Sequence, residues 1–323
     1  MKIALIGGSG FVGTNLIALL GQNPNYELLN IDKLPSERYN SITRIANVSD
    51  KAALISSLKD IELVILLAAE HKDNVSPVSL YYDINVEGMK NTLEAMEING
   101  AKRIIFTSSV AIYGLNKENP KENTPADPFN HYGSSKWKAE QVLQKWHESH
   151  TDWDVKIIRP TVIFGEGNRG NVYNLLKQIA SGKFLMIGKG DNKKSMSYIG
   201  NIVAFIEFLA SQKNIAYQVY NYADKPDFTT NDLVRHTGKV LNKHIPTIRI
   251  PYWLGMLGGY CFDCIGWATG KKLTVSSVRV KKFCAVTQFD SAKAINSGFV
   301  APFAIEEGLR RTLEAEFGKS QEV

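Results

Sequence analysis

Short runs dominated by apolar side chains recur through the first half of the chain, at residues 2–6, 28–31, 63–69, 103–106 and 154–159. A strand buried on both faces needs such a run, without the alternation of a half-wet strand. Each run is followed by a turn and then by a stretch with apolar residues at helical spacing, such as Leu16, Ile17, Leu19 and Leu20. Helices are predicted over 79–99 and from 131 to about 150, and a further short strand is predicted to end across Ile45–Asp50. Alternating strands and helices predict an α/β fold, a doubly wound parallel sheet with helices on both faces. Residues 115–130, rich in Pro, Asn and Asp, read as a loop.

Beyond about residue 165 the pattern changes. The polar, glycine-rich stretch 167–171 precedes a helix over Val172–Ala180, and Lys183, Lys189, Lys193 and Lys194 surround a short strand and a Gly-Lys-Gly-Asp turn. We therefore expect residues 1–165 to form a nucleotide-binding domain with returning segments from the C-terminal half. Residues 166–323 are expected to form mainly a smaller α/β substrate domain. Residues 251–267 are aromatic, glycine-rich and apolar, and Lys271, Lys272, Arg279, Lys281 and Lys282 follow within an acid-free stretch. Two readings stand: an interfacial membrane element, or an amphipathic helix packed in the substrate domain with lysines on its wet face. Asp263 inside the run argues against full insertion.

Composition narrows the class. The 323 residues are 44% hydrophobic and 22% charged, as in ordinary globular proteins. The net charge of +6 suits an anionic substrate or an anionic membrane surface. No basic helix with interleaved aromatics suggests a nucleic-acid partner. Cys261, Cys264 and Cys284 are too few for a disulfide framework and point to a reducing compartment. The Cys-x-x-Cys pair lacks a second ligand pair, so small residues in a packed helix are expected and no metal. No leader is expected ahead of a strand beginning at Lys2, and no run is long enough for a membrane-spanning helix.

The candidate chemistry begins at Gly7-x-x-Gly10-x-x-Gly13, placed between strand and helix. Gly7 permits the tight turn, Gly10 a close approach to a pyrophosphate, and Gly13 the packing of helix on strand. The helix N-terminus offers N–H groups to phosphates. Asp32, at the end of the next strand, is placed to bond a ribose 2′-OH, which favours NAD over NADP. Asn47 and Val48 are candidates for the adenine edge, and His71, on the loop after 63–69, for substrate or plain solvent. Thr107-Ser108-Ser109 clusters hydroxyls at a strand end, where serines also simply cap turns. Tyr132 and Lys136 are spaced i, i+4 and share a helix face. The Lys136 ammonium is expected to favour the phenolate of Tyr132. A drop of about three pKa units is worth roughly 4 kcal/mol. Alone, the pair is common on ordinary helix surfaces.

Together, Gly7-x-x-Gly10-x-x-Gly13, Asp32, Thr107-Ser108-Ser109, Tyr132-x-x-x-Lys136 and Arg159-Pro160-Thr161 resemble the extended short-chain dehydrogenase/reductase superfamily, and within it the NAD-dependent epimerase/dehydratase family. The resemblance implies a Rossmann domain, NAD as cofactor, and Ser109, Tyr132 and Lys136 as catalytic residues. It implies cofactor contacts from Gly7, Ser9, Gly10, Phe11, Val12, Gly13, Asp32, Asn47 and Val48. Leu67, Ala68, Ala69, Asn85, Thr107, Tyr132, Lys136, Pro160, Thr161 and Val162 complete that set. Substrate contacts are implied for Glu70, His71, Ser109, Asn168, Arg169, Lys194, Arg279 and Lys282.

The stretches Ala68–His71, Asn130–Gly133, Gly167–Asn174 and Leu257–Asp263 further resemble the branch of bacterial 4-epimerases that act on lipid-linked diphospho-sugars for surface polysaccharide. That branch implies a peripheral position on the cytoplasmic side of the inner membrane. Similar proteins also pair as homodimers through helices 79–99 and 131–150. The chain departs from many nucleotide-sugar epimerases at Lys194, where they carry arginine. It also lacks their Arg-Pro-x-Asp near 286–289, where Gln288 and Asp290 stand. The lysine cluster at 271–282 is left as a candidate diphosphate clamp. Val110-Ala111 stands where dehydratases carry an acid pair. The alternatives are a soluble UDP-GlcNAc or UDP-glucose 4-epimerase, a nucleotide-sugar dehydratase or reductase, and a non-catalytic NAD-sensing protein.

Overall fold

The computed structural model describes residues 1–72, 75–115, 117–212, 217–246, 248–270 and 276–318. The first half runs β1 (Lys2–Ile6), α1 (Phe11–Leu20), β2 (Glu27–Asp32), β3 (Thr43–Ile45), α2 (Lys51–Ser57) and β4 (Leu63–Leu66). Next, α3 (Ser79–Tyr82) passes through a wide turn at 83–87 into α4 (Gly88–Asn99), followed by β5 (Arg103–Thr107), α5 (His131–His147) and β6 (Asp154–Pro160). The second half continues with β7 (Val162–Phe164), α6 (Asn171–Ala180), β8 (Leu185–Ile187), β9 (Lys193–Tyr198), α7 (Ile199–Ser211), β10 (Tyr217–Tyr222), β11 (Asp224–Thr229) and α8 (Thr230–Val240). It ends with β12 (Ile248–Ile250), α9 (Tyr252–Thr269), α10 (Ser277–Cys284), α11 (Ala292–Ile295) and α12 (Ile305–Phe317).

The main sheet has the order β10-β6-β5-β4-β1-β2-β3, with every pairing parallel. Its central strands β1 and β4 are dominated by apolar residues because both faces are covered. Ile3 and Leu5 pack with α1 and α7 residues on one face, while Ala4 and Ile6 pack with α2, α4 and α5 residues on the other. The chain winds outward from β1 through β2 to β3, then crosses back to β4, so the switch point lies between β1 and β4.

Several boundaries differ from expectation. The third strand ends at Ile45, because the Asp50 side chain accepts the Ala53 N–H and caps α2 instead. The fourth stops at Leu66, because the Leu67 and Ala68 N–H groups both turn to the Ile6 carbonyl. Although β10 lies beyond residue 165, it pairs with β6 and completes the main sheet. The second lobe is built on a small sheet, β11-β9-β7, a two-stranded pair, β12-β8, and helices α6, α8 and α12.

The reading of 251–267 as a packed helix is not met. α9 buries only Met256 and Gly259. Trp253 is 67% exposed and Trp267 89% exposed, and Cys261 and Cys264 are exposed rather than packed. Hydrophobic composition alone does not separate a core helix from one that lies on a surface. Lys271 and Lys272, part of the expected clamp, lie outside the described residues.

Candidate active site

The site forms where the C-terminal ends of β1, β2, β4, β5 and β6 meet the N-termini of α1 and α5. Gly7 has φ +90, and a Cβ there would lie 2.5 Å from the Ala68 nitrogen, so the first turn and the β4 loop meet backbone to backbone. At Gly13 a Cβ would lie 2.4 Å from Gly8 Cα. The close packing that Gly13 permits is therefore of helix on loop rather than of helix on strand. Nothing in the protein crowds Gly10, whose nearest neighbour to an added Cβ is the Gly7 carbonyl at 3.6 Å.

Asp32 accepts hydrogen bonds from the Ser9 and Leu34 N–H groups at 3.0 and 3.1 Å, which fix the carboxylate beside the glycine loop. Asn30, which sequence reasoning missed, donates to Ser9 Oγ and Thr43 Oγ1. It is buried and polar in an otherwise apolar strand, which was the available signal. Asn47 spends its side-chain oxygen on the Ser49 N–H, while buried Val48 packs against Gly88.

Asn85 works inside the protein. Its amide exchanges hydrogen bonds with the Glu70 backbone at 2.9 and 3.1 Å and donates to Ser135 Oγ at 2.8 Å. It thereby ties the loop after β4, with Ala69 and Glu70, to the first turns of α5. Glu70 turns its carboxylate to the His71 and Lys72 N–H groups, and His71 is exposed.

Asn130 caps α5 by accepting the Gly133 N–H at 2.8 Å, which starts the helix immediately before Tyr132. The Ser109 hydroxyl lies beside the Tyr132 phenol and favours its ionised form, and Ser109 accepts the Ala111 N–H at 3.1 Å. Lys136 is buried and donates to the Thr107 carbonyl at 2.8 Å. Burial pushes its ammonium down to about 7, opposed by the nearby Glu140 carboxylate. Burial also raises the Tyr132 phenol above its ordinary value, with the Ser109 hydroxyl pulling the other way. The expected depression by Lys136 is thus not met in the protein alone, because that ammonium is turned to Thr107.

Behind the pair lies a network that spacing could have shown. Glu140 is four residues beyond Lys136 on the same face of α5. It accepts Ser108 Oγ at 2.5 Å and Arg159 Nη2 at 2.6 Å. Arg159 also donates to the Tyr113 hydroxyl at 2.6 Å, and Tyr113 in turn donates to Asn221 at 2.8 Å. This buried lattice joins the ends of β5, β6 and β10 to α5.

The residues fit a dinucleotide. The glycine turn leaves room at Gly10, Asp32 is held at the strand end, and Thr107 Oγ1 is a buried polar atom without a protein partner. Phe11 and Val12 open α1, and Leu67 and Ala68 line the switch point opposite Gly7. Pro160 ends β6, and Val162 is partly exposed at the start of β7. Thr161 Oγ1 is paired with Ser197 Oγ at 2.8 Å.

Among the expected substrate residues, Asn168 shapes its own turn, accepting the Gly170 N–H and donating to the Ile163 carbonyl. Arg169 pairs with Glu316 and lies over the Tyr173 ring. Lys194 is turned to the Ala285 carbonyl at 3.1 Å, and burial pushes it down to about 8. Lys282, on α10 with Arg279, sits 6.0 Å from the Phe129 ring centre, which brings α10 beside the start of α5.

Residues 3–223 match the model of the NAD dependent epimerase/dehydratase family. The chain belongs to that family. Its cofactor is NAD, and the glycine turn, Asp32 and Thr107 are the features that fit it. The chain is 59% identical over 317 residues to the N-acetyl-alpha-D-glucosaminyl-diphospho-ditrans,octacis-undecaprenol 4-epimerase of Escherichia coli O157:H7, covering 98% of this chain and 95% of that protein. It is 27% identical to the UDP-glucose 4-epimerase of Vibrio cholerae, covering 97% and 95%. Its fold matches that of the UDP-glucuronic acid 4-epimerase from Bacillus cereus in complex with NAD, with a TM-score of 0.76, 20% identity and 98% of each chain covered.

Proposed function

We propose that this chain is a sugar 4-epimerase that interconverts N-acetylglucosaminyl- and N-acetylgalactosaminyl-diphospho-undecaprenol, in the making of O-antigen or a related surface polysaccharide. The 59% identity to the Escherichia coli enzyme along nearly the whole chain carries the reading. The bare apolar helix α9 and the basic helix α10 suit a lipid-linked anion better than a free nucleotide.

Tyr132 takes the proton from the sugar C4 hydroxyl and later returns it. The glycine turn, Asp32 and Thr107 would hold NAD, which would supply the hydride acceptor and donor for C4 with no net NADH made. Ser109, beside the phenol, orients the reacting oxygen toward Tyr132. Lys136 lies one helical turn from the phenol with its amine on the Thr107 carbonyl, and turning it toward Tyr132 in the loaded site would favour the phenolate. Glu140 partly offsets the burial that pushes Lys136 down to about 7. The Asn85 bonds hold the floor of the site rigid between the turn after β4 and α5.

The reading includes peripheral attachment to an anionic membrane on the cytoplasmic side and a homodimer through α4 and α5. Purified protein incubated separately with UDP-GlcNAc and with GlcNAc-diphospho-lipid tests the substrate. Conversion of the lipid-linked sugar is expected, and conversion of the nucleotide sugar alone overturns the assignment.

A further inference from the structure

α9 has two unlike faces. Gly255, Gly259 and Asp263 form one stripe and rest on the protein. An added Cβ would lie 2.6 Å from Ile187 at Gly255 and 2.8 Å from Ser277 at Gly259. The Asp263 carboxylate accepts the Ser277 N–H at 3.2 Å, so the one acid of the helix is turned to α10. With about 3.6 residues per turn, Trp253 and Leu257 fall on the opposite side and Tyr260 on its flank, while Trp267 follows Asp263 by one turn at the C-terminal end of the helix. All four are exposed. The helix has 18 residues, about 27 Å at 1.5 Å per residue. Among the described residues no helix is long and apolar enough to cross a membrane.

Beside it, α10 carries Arg279, Lys281 and Lys282 and no acid. Two copies meeting through this hairpin would bring like charges together, whereas an anionic lipid surface complements them. A cleft of about 910 Å³ begins at Tyr252, the first residue of α9. It is walled by Lys281, Cys284, Ile187 and Lys189 and reaches Phe129, three positions before Tyr132.

We infer that the α9–α10 hairpin docks on an anionic phospholipid bilayer, with α9 lying in the interface. The cleft then opens along that surface, so a lipid-linked sugar is presented to the site without its chain leaving the bilayer. This rests on the lipid-linked reading of the substrate.

The test sediments the NAD-loaded protein with phosphatidylcholine vesicles, with and without phosphatidylglycerol. Turnover is followed on a long-chain lipid-diphospho-sugar in vesicles and on a short-chain, water-soluble one. The wild type should bind the phosphatidylglycerol vesicles, and salt near 1 M, where the Debye length is about 3 Å, should weaken that binding. Leu257→Glu with Trp267→Glu should lower vesicle binding roughly tenfold or more and long-chain turnover in parallel. Short-chain turnover should be unchanged, which also shows that the variant folds. Trp267→Phe should restore binding in the Leu257 background. Wild-type protein that ignores anionic vesicles, a double variant that still binds them, or one whose only change is a smaller assembly in light scattering overturns the proposal. Failure to convert either lipid-linked sugar instead refutes the substrate reading, and sedimentation still decides the docking.

Discussion

Lys136 should cost the protein stability, and replacing it with methionine should return some of it. In the folded chain burial lowers its pKa from 10.5 to about 7. At pH 7 the unfolded chain holds a proton that the folded chain holds only half the time. At 1.36 kcal/mol per unit, that difference amounts to about 4 kcal/mol against folding. Between pH 7 and 10.5 the unfolded chain binds more protons, so this penalty shrinks and the contribution of Lys136 to stability rises with pH. Methionine matches the length and is apolar, but it leaves the Thr107 carbonyl without the bond at 2.8 Å. That loss costs about 1–3 kcal/mol, so the net gain is roughly 1–3 kcal/mol. Using ~2 °C per kcal/mol for a chain this long, the melting temperature of the NAD-stripped Lys136→Met protein should rise by about 2–6 °C at pH 7. The gap to wild type should narrow by pH 9.5. Differential scanning fluorimetry of the stripped proteins across that range is the assay. A destabilised variant, or a gap that ignores pH, refutes the reasoning.

Tyr132→Phe should lower turnover by at least ~10²-fold, the lower end of general acid–base effects, while NAD released on denaturation stays near one per chain. Retained turnover removes the phenol from its role. Glu140→Gln leaves Arg159 without its buried counter-charge and should cost about 3 kcal/mol in urea unfolding. It should also move the Lys136-dependent limb of the pH–rate profile to lower pH, because Glu140 holds that ammonium up. An unmoved profile would make Glu140 purely structural. Asp32→Ala should weaken NAD binding roughly tenfold by calorimetry, the loss expected of a charge-assisted hydrogen bond. Light scattering should give twice the chain mass, and charge reversal at Glu94 on α4 should lower it if α4 and α5 form the interface.

The central strands were legible because burial on both sides leaves a continuous apolar run, whereas β10, Tyr-Gln-Val-Tyr-Asn-Tyr, carries no such run and was not foreseen. The glycine turn was equally plain, since only glycine fits against Ala68 at φ +90. Strand ends were harder: Asp50 belongs to a cap, and no local pattern says where a ladder stops. The electrostatics of Tyr132 were misjudged because spacing places Lys136 on the right face but does not say that its amine turns to Thr107. The surface position of α9 was open for a different reason. A run of Trp, Leu, Tyr and Gly satisfies a protein core and a lipid interface alike, and only the arrangement of its neighbours tells them apart.

The return of β10 to the edge of β6 ties the order of synthesis to the order of folding. When the ribosome has delivered β6, the nascent sheet ends in a bare ladder of N–H and C=O groups whose partner is still more than fifty residues away. Such a rim recruits stray strands. A product cut near residue 165 should therefore precipitate rather than survive as a free cofactor-binding fragment, and a translational pause placed between β6 and β10 should lower the yield of active protein.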